Sequence, residues 1–355
     1  MKSNKAWSVL ALSITAVILA AVCAVTVWAD PFFHYHGPLE GISYILSNQR
    51  YQNDGIVKHF PYDAVITGTS MTENFKATEV DQIFGVSSVK VSFSGASYKE
   101  INNNLKVAFD HNPNIRLVIR ALDYGKFLDG KDTVNYDTSQ LNYLYDDVLY
   151  NDVKYLLNKT TFLEYVMPVL KNSICGAAPT SFDTYSNWHH EYVFGKEAIL
   201  AEYWRPYKEE TQKALTDADR NNIKENITEN VIALAQEHPD VDFYYFITPY
   251  SIFYWDSINQ TGEITRQLEA EKLVIEMLLA QENIHLFSFL DRYEMVCDLD
   301  NYKDIAHYGE DINTQILHWM KNGEHQLTKD NYLQYWNANR DFYLGYDYDA
   351  LFSGN

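Results

Sequence analysis

Cysteine is scarce in this sequence, so the fold does not depend on a disulfide framework. Only three cysteines occur in 355 residues, and no Cys-x-x-Cys pair is present. Cysteine spacing therefore predicts no metal site, and no cofactor is expected. Cys23 lies in a long apolar run, so one disulfide between Cys175 and Cys297 is the pairing left open.

Positive charge is also in short supply. Lysine and arginine number 28 against 48 aspartates and glutamates, which gives a net charge of −20. Long-range repulsion then disfavours a polyanionic partner such as nucleic acid. A strongly anionic glycan would need a local basic patch, and the candidates Arg116, Arg120 and Arg205 do not cluster in the sequence. A neutral polysaccharide is the simpler substrate.

Charge is absent altogether from Trp7 to Trp28. As a helix this run is roughly 33 Å long, enough to span a bilayer. Lys2 and Lys5 precede it and predict a cytoplasmic N-terminus, with a single-pass anchor in the cell membrane and an extracytoplasmic domain after about Ala29. A cleaved signal peptide, with Val27-Trp28-Ala29 as the cleavage site, is the alternative.

The rest of the chain has no internal repeat and no low-complexity tract. Residues 1–29 form the predicted cytoplasmic tip and anchor, residues 30–61 a connector, and residues 62–355 the extracytoplasmic domain. From Asp63 onward, short apolar runs alternate with helical patterns, which predicts an α/β fold with a parallel sheet. The five predicted strands are Ala64–Thr67, Lys90–Ser94, Leu117–Leu122, Phe243–Thr248 and His285–Phe289.

A long segment separates the third and fourth strands. The gap of about 120 residues greatly exceeds a plain crossover, so residues 125–206 are predicted to be an insertion. It is rich in Tyr, Asn and Asp, and is either a structural cap or a surface that faces a glycan or a partner. A metal-dependent hydrolase built on His189, His190 and Glu191 is disfavoured, because adjacent side chains point apart on a strand and a third ligand is lacking.

Small, polar and titratable residues follow each predicted strand. In an open parallel sheet, ligands bind beyond the carboxyl ends of the strands, so these residues are expected at one edge. They are Ser70 after the first strand, Gly95 after the second, Asp123 and Tyr124 after the third, Tyr250 and Ser251 after the fourth, and Asp304 and His307 after the fifth.

Three of these residues have the chemistry of a catalytic triad. Ser70 is predicted where a strand turns into a helix, an exposed position at which a helix N-terminus offers free N–H groups to an anion. Asp304 is three residues before His307, close enough to orient its imidazole, which could then take the proton of Ser70. The alternative is that Gly68-Thr69-Ser70 and the Asp-x-x-His pair only cap helices.

On these residues the chain resembles the SGNH (GDSL-like) hydrolase superfamily. Gly68-Thr69-Ser70 is similar to its first block, Gly95 to its second and Asp304-Ile305-Ala306-His307 to its last. The resemblance implies a flavodoxin-like three-layer sandwich, a Ser70 nucleophile, and an oxyanion bound by the N–H groups of Ser70 and Gly95. It is closest to membrane-tethered bacterial members that work beside membrane-bound O-acyltransferases in alginate-type O-acetylation and teichoic-acid D-alanylation.

The sequence departs from that family in two places. Thr69 replaces the usual Asp, and the third block reads Ala121-Leu122-Asp123-Tyr124 without the Asn that donates to the oxyanion. Tyr124 or a group from the insertion is a candidate substitute. Substrate contacts are predicted at Asp123, Tyr124, Tyr250, Ser251 and Trp255.

The predicted activity is serine-dependent acyl transfer on cell-envelope glycans. Water as acceptor would make the chain an esterase, and a sugar hydroxyl would make it an O-acyltransferase. The substrate is a glycan or an acyl ester, and the expected partner is a membrane-bound O-acyltransferase. The alternative is a catalytically weak or inactive glycan-binding or scaffold subunit of a membrane O-acylation complex.

Overall fold

The chain forms two compact units. A computed structural model describes residues 2–146, 148–209 and 211–352. The first unit comprises Met1–Pro61 and Asp137–Ser181, and the second comprises Tyr62–Tyr136 and Phe182–Asn355. The predicted insertion is therefore divided between them: residues 137–181 belong to the first unit, whereas residues 125–136 and 182–206 belong to the second.

The second unit is built on a parallel sheet of five strands in the order β2-β1-β3-β4-β5. The strands are β1 (Ala64–Gly68), β2 (Ser88–Ser92), β3 (Leu117–Leu122), β4 (Asp242–Ile247) and β5 (Ile284–Ser288). All five predicted strands and their parallel arrangement are confirmed, with ends displaced by up to two residues. The first three are buried along their whole length, because the crossover connections of a parallel sheet cover both of its faces.

Helices connect these strands. Those of the second unit are α3 (Ala77–Phe84), α4 (Tyr98–His111), α8 (Lys196–Glu202), α9 (Asp217–Ile227), α10 (Ala233–Glu237), α11 (Ile252–Gln260), α12 (Ile264–Leu278), α13 (Tyr293–Cys297), α14 (Glu310–Asn322) and α15 (Tyr332–Gly345). The capping box of Ser97 and Glu100 fixes the start of α4 just beyond β2. This places the chain between β2 and α4, which holds Gly95, at the carboxyl end of the sheet.

The first unit contains the helices α1 (Lys2–Ala29), α2 (Gln49–His59), α5 (Asn142–Tyr145), α6 (Val153–Leu156) and α7 (Met167–Cys175). One helix near the N-terminus, α1, is long and apolar enough to cross a membrane. Its end is joined to the unit by Asp30, whose carboxylate accepts the backbone N–H groups of His34, Tyr35 and His36 and the hydroxyl of Tyr155. The connector after α1 is therefore an ordered part of this unit.

Candidate active site

Ser70 lies one residue beyond Thr69, which follows β1. It begins a single 3₁₀ turn, Ser70–Thr72, and α3 starts only at Ala77. Ser70 therefore opens a single 3₁₀ turn and not the longer α-helix that a strand-to-helix junction would give. Thr69 caps the turn, because its side chain accepts the N–H of Met71.

A buried lysine explains why the chain does not continue as a helix after Ser70. The ammonium group of Lys90, on β2, donates to the carbonyl oxygens of Glu73 and Phe75. Those oxygens would accept amide hydrogens four residues further on if the chain were helical. Burial lowers the pKa of Lys90 to about 7. Lys90, on the neighbouring strand, thus takes the carbonyl oxygens that would continue a helix after the turn that carries Ser70.

Ser70, His307 and Asp304 form a continuous chain of hydrogen bonds. Ser70 Oγ lies 2.7 Å from His307 Nε2. His307 Nδ1 lies 2.9 and 2.8 Å from the two carboxylate oxygens of Asp304. A carboxylate only accepts hydrogen bonds, so the ring proton lies on Nδ1 and Nε2 accepts the Ser70 hydroxyl. The structure brings together the three side chains predicted to be catalytic.

The Asp304 carboxylate is held in its ionised form. Burial acts to raise its pKa, but the hydrogen bond and charge of the His307 ring and the N–H groups of His307 and Ala306 outweigh burial and lower the pKa to about 2. Ser251 fixes the same loop, because its hydroxyl and its N–H both donate to the Ile305 carbonyl oxygen. Ser251 therefore positions the triad and is fully buried.

Gly95 occupies a tight turn beyond β2. Its φ is +68°, a left-handed conformation that side chains rarely adopt, and a Cβ there would approach the Tyr136 hydroxyl to 2.8 Å. Asn135 holds the turn by donating from Nδ2 to the Gly95 carbonyl oxygen. Within the part of the chain that the structure describes, the N–H groups of Ser70 and Gly95 donate to no protein acceptor. Both are therefore available to a ligand.

Asp123 directly follows β3, and it is bonded to Thr69, the residue before Ser70. One carboxylate oxygen accepts the hydroxyls of Thr69 and Tyr250 at 2.8 and 3.0 Å. The other is buried and has no partner among the described residues. Burial raises the pKa of Asp123, although these hydrogen bonds and the charges of Lys126 and His307 oppose the change. Asp123 and Tyr250 hold together the loops that carry the site.

Tyr124 and Trp255, predicted as substrate contacts, lie in the core. The Tyr124 hydroxyl donates to Glu271 over 3.1 Å, and Trp255 stacks on Tyr343 with ring centroids 3.8 Å apart. Both side chains are almost completely buried, so a substrate would not reach them. Tyr124 is also unsuited to replace the absent oxyanion donor, because its hydroxyl points to Glu271.

Two residues beside the triad were not found from the sequence. The Trp188 ring meets the His307 ring edge to face, with centroids 5.6 Å apart, and the backbone N–H of Trp188 donates to Asn74 Oδ1 over 3.1 Å. The ammonium group of Lys303 lies 4.6 Å from the Trp188 ring centroid, 3.6 Å from that of Tyr192 and 3.7 Å from Asp304. Lys303 could have been suspected as the neighbour of Asp304, but Trp188 has no local signal of this kind.

The residues considered for a metal site serve other contacts. His189 Nδ1 accepts the N–H of Glu310 over 3.2 Å, and His190 lies largely in solvent. Over residues 2–146, 148–209 and 211–352, no three His, Cys, Asp or Glu side chains converge as a metal site would require. Cys175 and Cys297 are free thiols, not a disulfide.

The three arginines considered for a basic patch are already engaged. Arg120 is completely buried on β3 and donates to the backbone oxygens of Asn230 and Tyr98. The other two form ion pairs, Arg116 with Asp63, and Arg205 with Asp256 and Asp349. No basic patch that binds an anionic glycan arises from them.

Comparisons with known proteins add little. No family model matches the sequence, and no curated protein matches it. Among solved structures, a provisionally named platelet activating factor from Streptococcus pneumonia is 11% identical, with a TM-score of 0.37 and coverage of 78% of this chain and 90% of that chain.

Proposed function

We propose that this chain is a serine-dependent acyl-transfer enzyme whose nucleophile is Ser70. The observation that carries the proposal is the position of His307, bonded to Ser70 on one ring nitrogen and to Asp304 on the other. This arrangement lets a histidine remove a hydroxyl proton while a carboxylate stabilises the imidazolium.

The proposed reaction has two half-steps. Ser70 Oγ bonds to the carbonyl carbon of an acyl ester while His307 Nε2 takes its proton, and the N–H groups of Ser70 and Gly95 bind the oxyanion. The bond to the leaving alkoxide then breaks, and His307 returns the proton to that oxygen. In the second half-step His307 Nε2 takes a proton from water or a sugar hydroxyl, whose oxygen bonds to the acyl carbon. The bond between that carbon and Ser70 Oγ then breaks, and His307 returns the proton to Ser70 Oγ.

The sheet order supports an SGNH-type, flavodoxin-like assignment, which we also propose. In the order β2-β1-β3-β4-β5, the strand order reverses between β1 and β3, and ligands bind at this topological switch point in folds of this order. Ser70 follows β1 and Asp123 follows β3. The nucleophile therefore stands at the edge that this architecture reserves for ligands.

Cell-envelope glycans are the substrates we propose, with α1 as a single-pass anchor whose N-terminus is cytoplasmic. Tyr192 is half-exposed near the triad, with Lys303 over its ring, and this exposed aromatic side chain is one that a sugar ring could pack against. A membrane-bound O-acyltransferase that supplies the acyl group is the proposed partner. Lys2 and Lys5 come directly before the apolar run, and positive residues favour the cytoplasmic side of a transmembrane helix, which supports a cytoplasmic N-terminus.

A non-catalytic subunit of an O-acylation complex is the second candidate. It is favoured by the oxyanion site, where the Tyr124 hydroxyl is turned away to Glu271 and supplies no third donor. Loss of one such donor costs about a hundredfold or more in rate. A chain with this site would be slow, or would hold a glycan without acylating it.

The test is acylation of the full-length chain in detergent by p-nitrophenyl acetate, with mass spectrometry of the Ser70 peptide. We expect an acetyl adduct that Ser70→Ala abolishes without unfolding. Ser87→Ala is the matched control, because Ser87 is an exposed serine before β2, at the other end of the strands. Absence of turnover and adduct in the folded wild type would favour the non-catalytic subunit. Added oligosaccharides then distinguish a transferase from an esterase.

A further inference from the structure

The first unit has apolar side chains on both faces of the helical segment 149–175. The inward face buries Tyr155, Val166 and Val169. The outward face exposes Leu149, Tyr150, Val153, Leu163, Met167 and Ile174. Exposure reaches 79% at Leu149, 87% at Tyr150 and 86% at Ile174. Exposed apolar side chains in such number on one segment mark a surface that contacts a partner or a membrane.

The same helical segment packs against the apolar helix α1. The last turns of α1 pack against α6 and against the π-helical turn Thr161–Val166, and they bury Thr26 and Ala29. The helix span Lys5–Ala29 is 25 residues, roughly 37 Å, which exceeds a hydrocarbon core of about 30 Å. The end of α1, and what packs on it, would then lie at the bilayer interface.

The charges of the segment suit a membrane surface. Lys154, Lys159 and Lys171 are exposed, although the chain as a whole carries a net charge of −20. Of the two acidic residues in the segment, Asp152 is buried against Tyr35 and His34, which leaves Glu164 exposed. Lysines beside exposed Leu, Ile and Tyr are typical of helices that lie in the headgroup region and attract anionic lipid.

We propose that residues 149–175 form an interfacial platform, whose outward side chains enter the leaflet in which α1 ends. The occupant of this face is lipid, and the expected depth is about 5–10 Å into the boundary between headgroups and acyl chains. The proposal rests on insertion of α1 in a membrane, but it requires no catalytic activity. Its consequence is that two separate parts of the sequence hold the first unit on the bilayer.

The test uses the full chain in vesicles of phosphatidylcholine and phosphatidylglycerol, with Cys23, Cys175 and Cys297 replaced by serine. In this background, the variants Tyr150→Cys and Ile174→Cys each carry an environment-sensitive fluorophore on the introduced thiol. We expect lipids with a nitroxide near the headgroup to quench most of the fluorescence at both positions. Iodide dissolved in the water should quench little of it. Tyr207→Cys is the matched control, since Tyr207 is 96% exposed and lies in the other unit.

A fourth labelled position distinguishes failure of the platform from failure of α1 to insert in the membrane. Leu12, exposed near the middle of α1, reports whether the helix is inserted at all. If Leu12→Cys is quenched by deep nitroxides while Tyr150→Cys and Ile174→Cys stay open to iodide, the platform is overturned and a protein partner becomes the better occupant. If Leu12→Cys is itself in water, the membrane anchor and the platform both fall. Neither result depends on acyl transfer by Ser70.

Discussion

Thr69 and Asp123 tie together the ends of two neighbouring strands: the Thr69 hydroxyl donates to the Asp123 carboxylate over 2.8 Å. Thr69 follows β1 directly and precedes Ser70, and Asp123 follows β3 directly. Tyr250, which follows β4, donates to the same oxygen. Three loops at the carboxyl edge of the sheet therefore meet at one buried carboxylate, which sets the position of the candidate nucleophile.

Replacing Asp123 tests this arrangement. Asp123→Ala would leave the hydroxyls of Thr69 and Tyr250 without their acceptor in a buried place, and we expect the free energy of unfolding to fall by about 2–4 kcal/mol. Asp123→Asn keeps an acceptor oxygen for both hydroxyls, so it should stay close to wild type. Urea unfolding followed by tryptophan fluorescence measures both.

The control for Asp123 is Asp132→Ala. Asp132 is exposed and pairs with Lys99, and solvent screens a surface pair of this kind, so its loss should change stability little. If Asp123→Ala were as stable as Asp132→Ala, the carboxylate would not be holding the three loops together.

Asp304→Asn should separate orientation of the histidine from folding. An amide can stabilise the wrong tautomer of His307, and we expect acyl transfer to fall by about four orders of magnitude, as for the equivalent change in serine proteases. The circular dichroism spectrum at neutral pH should not change. A variant that kept most of the wild-type rate of p-nitrophenyl acetate turnover would remove Asp304 from the mechanism.

Asp304→Asn should also change how the free energy of unfolding depends on pH under acidic conditions. The pKa of Asp304 is lowered to about 2 in the folded chain, from an ordinary value of 3.8. The unfolded chain therefore binds this proton first as the pH falls, and the stabilisation is present above about pH 4 and lost as the pH falls through about 2. We expect wild type to lose about 2 kcal/mol more than Asp304→Asn over this interval in urea unfolding.

Gly95→Ala should damage activity more than stability. Gly95 and Gly85 have nearly the same left-handed φ, +68° and +71°, but a Cβ at Gly85 meets nothing within 4 Å. Each alanine should cost about 1–2 kcal/mol of folding energy for the backbone conformation alone. Only at Gly95 does the added Cβ meet Tyr136, and only there does any backbone adjustment act on a proposed oxyanion N–H. Equal rates of acyl transfer in the two variants would exclude Gly95 from the site.

The sheet was predictable because its signals are local. Each strand is a short run of apolar residues, many of them β-branched, followed by a small or polar residue, and burial on both faces makes such runs stand out. Asp304 and His307 are three positions apart, so their pairing is also a local matter. Ser70 could be linked to them because carboxyl ends of parallel strands share one edge of the sheet.

The turn after Ser70 was not predictable, because its cause lies on another strand. Ser and Thr after a strand usually signal a helix start, but Lys90 captures the carbonyl oxygens of Glu73 and Phe75. The contact of Trp188 with His307 likewise joins positions 119 residues apart. Such contacts depend on how loops fold over the sheet, and no spacing in the sequence indicates them.

For Tyr124 and Trp255, the sequence predicted the position along the chain correctly but not the burial of the side chain. Aromatic residues just beyond a strand or early in a helix suit a binding surface, and their polar atoms favour that interpretation. Their burial is decided by partners on distant helices, Glu271 on α12 for Tyr124 and Tyr343 on α15 for Trp255. The sequence locates these residues near the edge of the sheet but does not say on which side of it they face.

Glu271 provides a further prediction, in the core of the second unit. It is completely buried and accepts the hydroxyls of Tyr124 and Tyr335, each over 3.1 Å. Burial raises the pKa of Glu271 to about 7, from an ordinary value of 4.5, and the two hydrogen bonds offset only part of this effect. The folded chain therefore retains a proton that the unfolded chain has already released in this interval.

It follows that this contribution to stability is complete below about pH 4.5 and is lost as the pH rises through about 7. We expect wild type to lose about 3 kcal/mol more than Glu271→Gln between pH 5 and pH 8, because glutamine carries no proton to release. Glu276→Gln, an exposed change on the same helix, should follow wild type. If the urea-unfolding curves of Glu271→Gln and wild type shifted in parallel with pH, the buried carboxyl would be ionised throughout, and the two phenols would be compensating its charge fully.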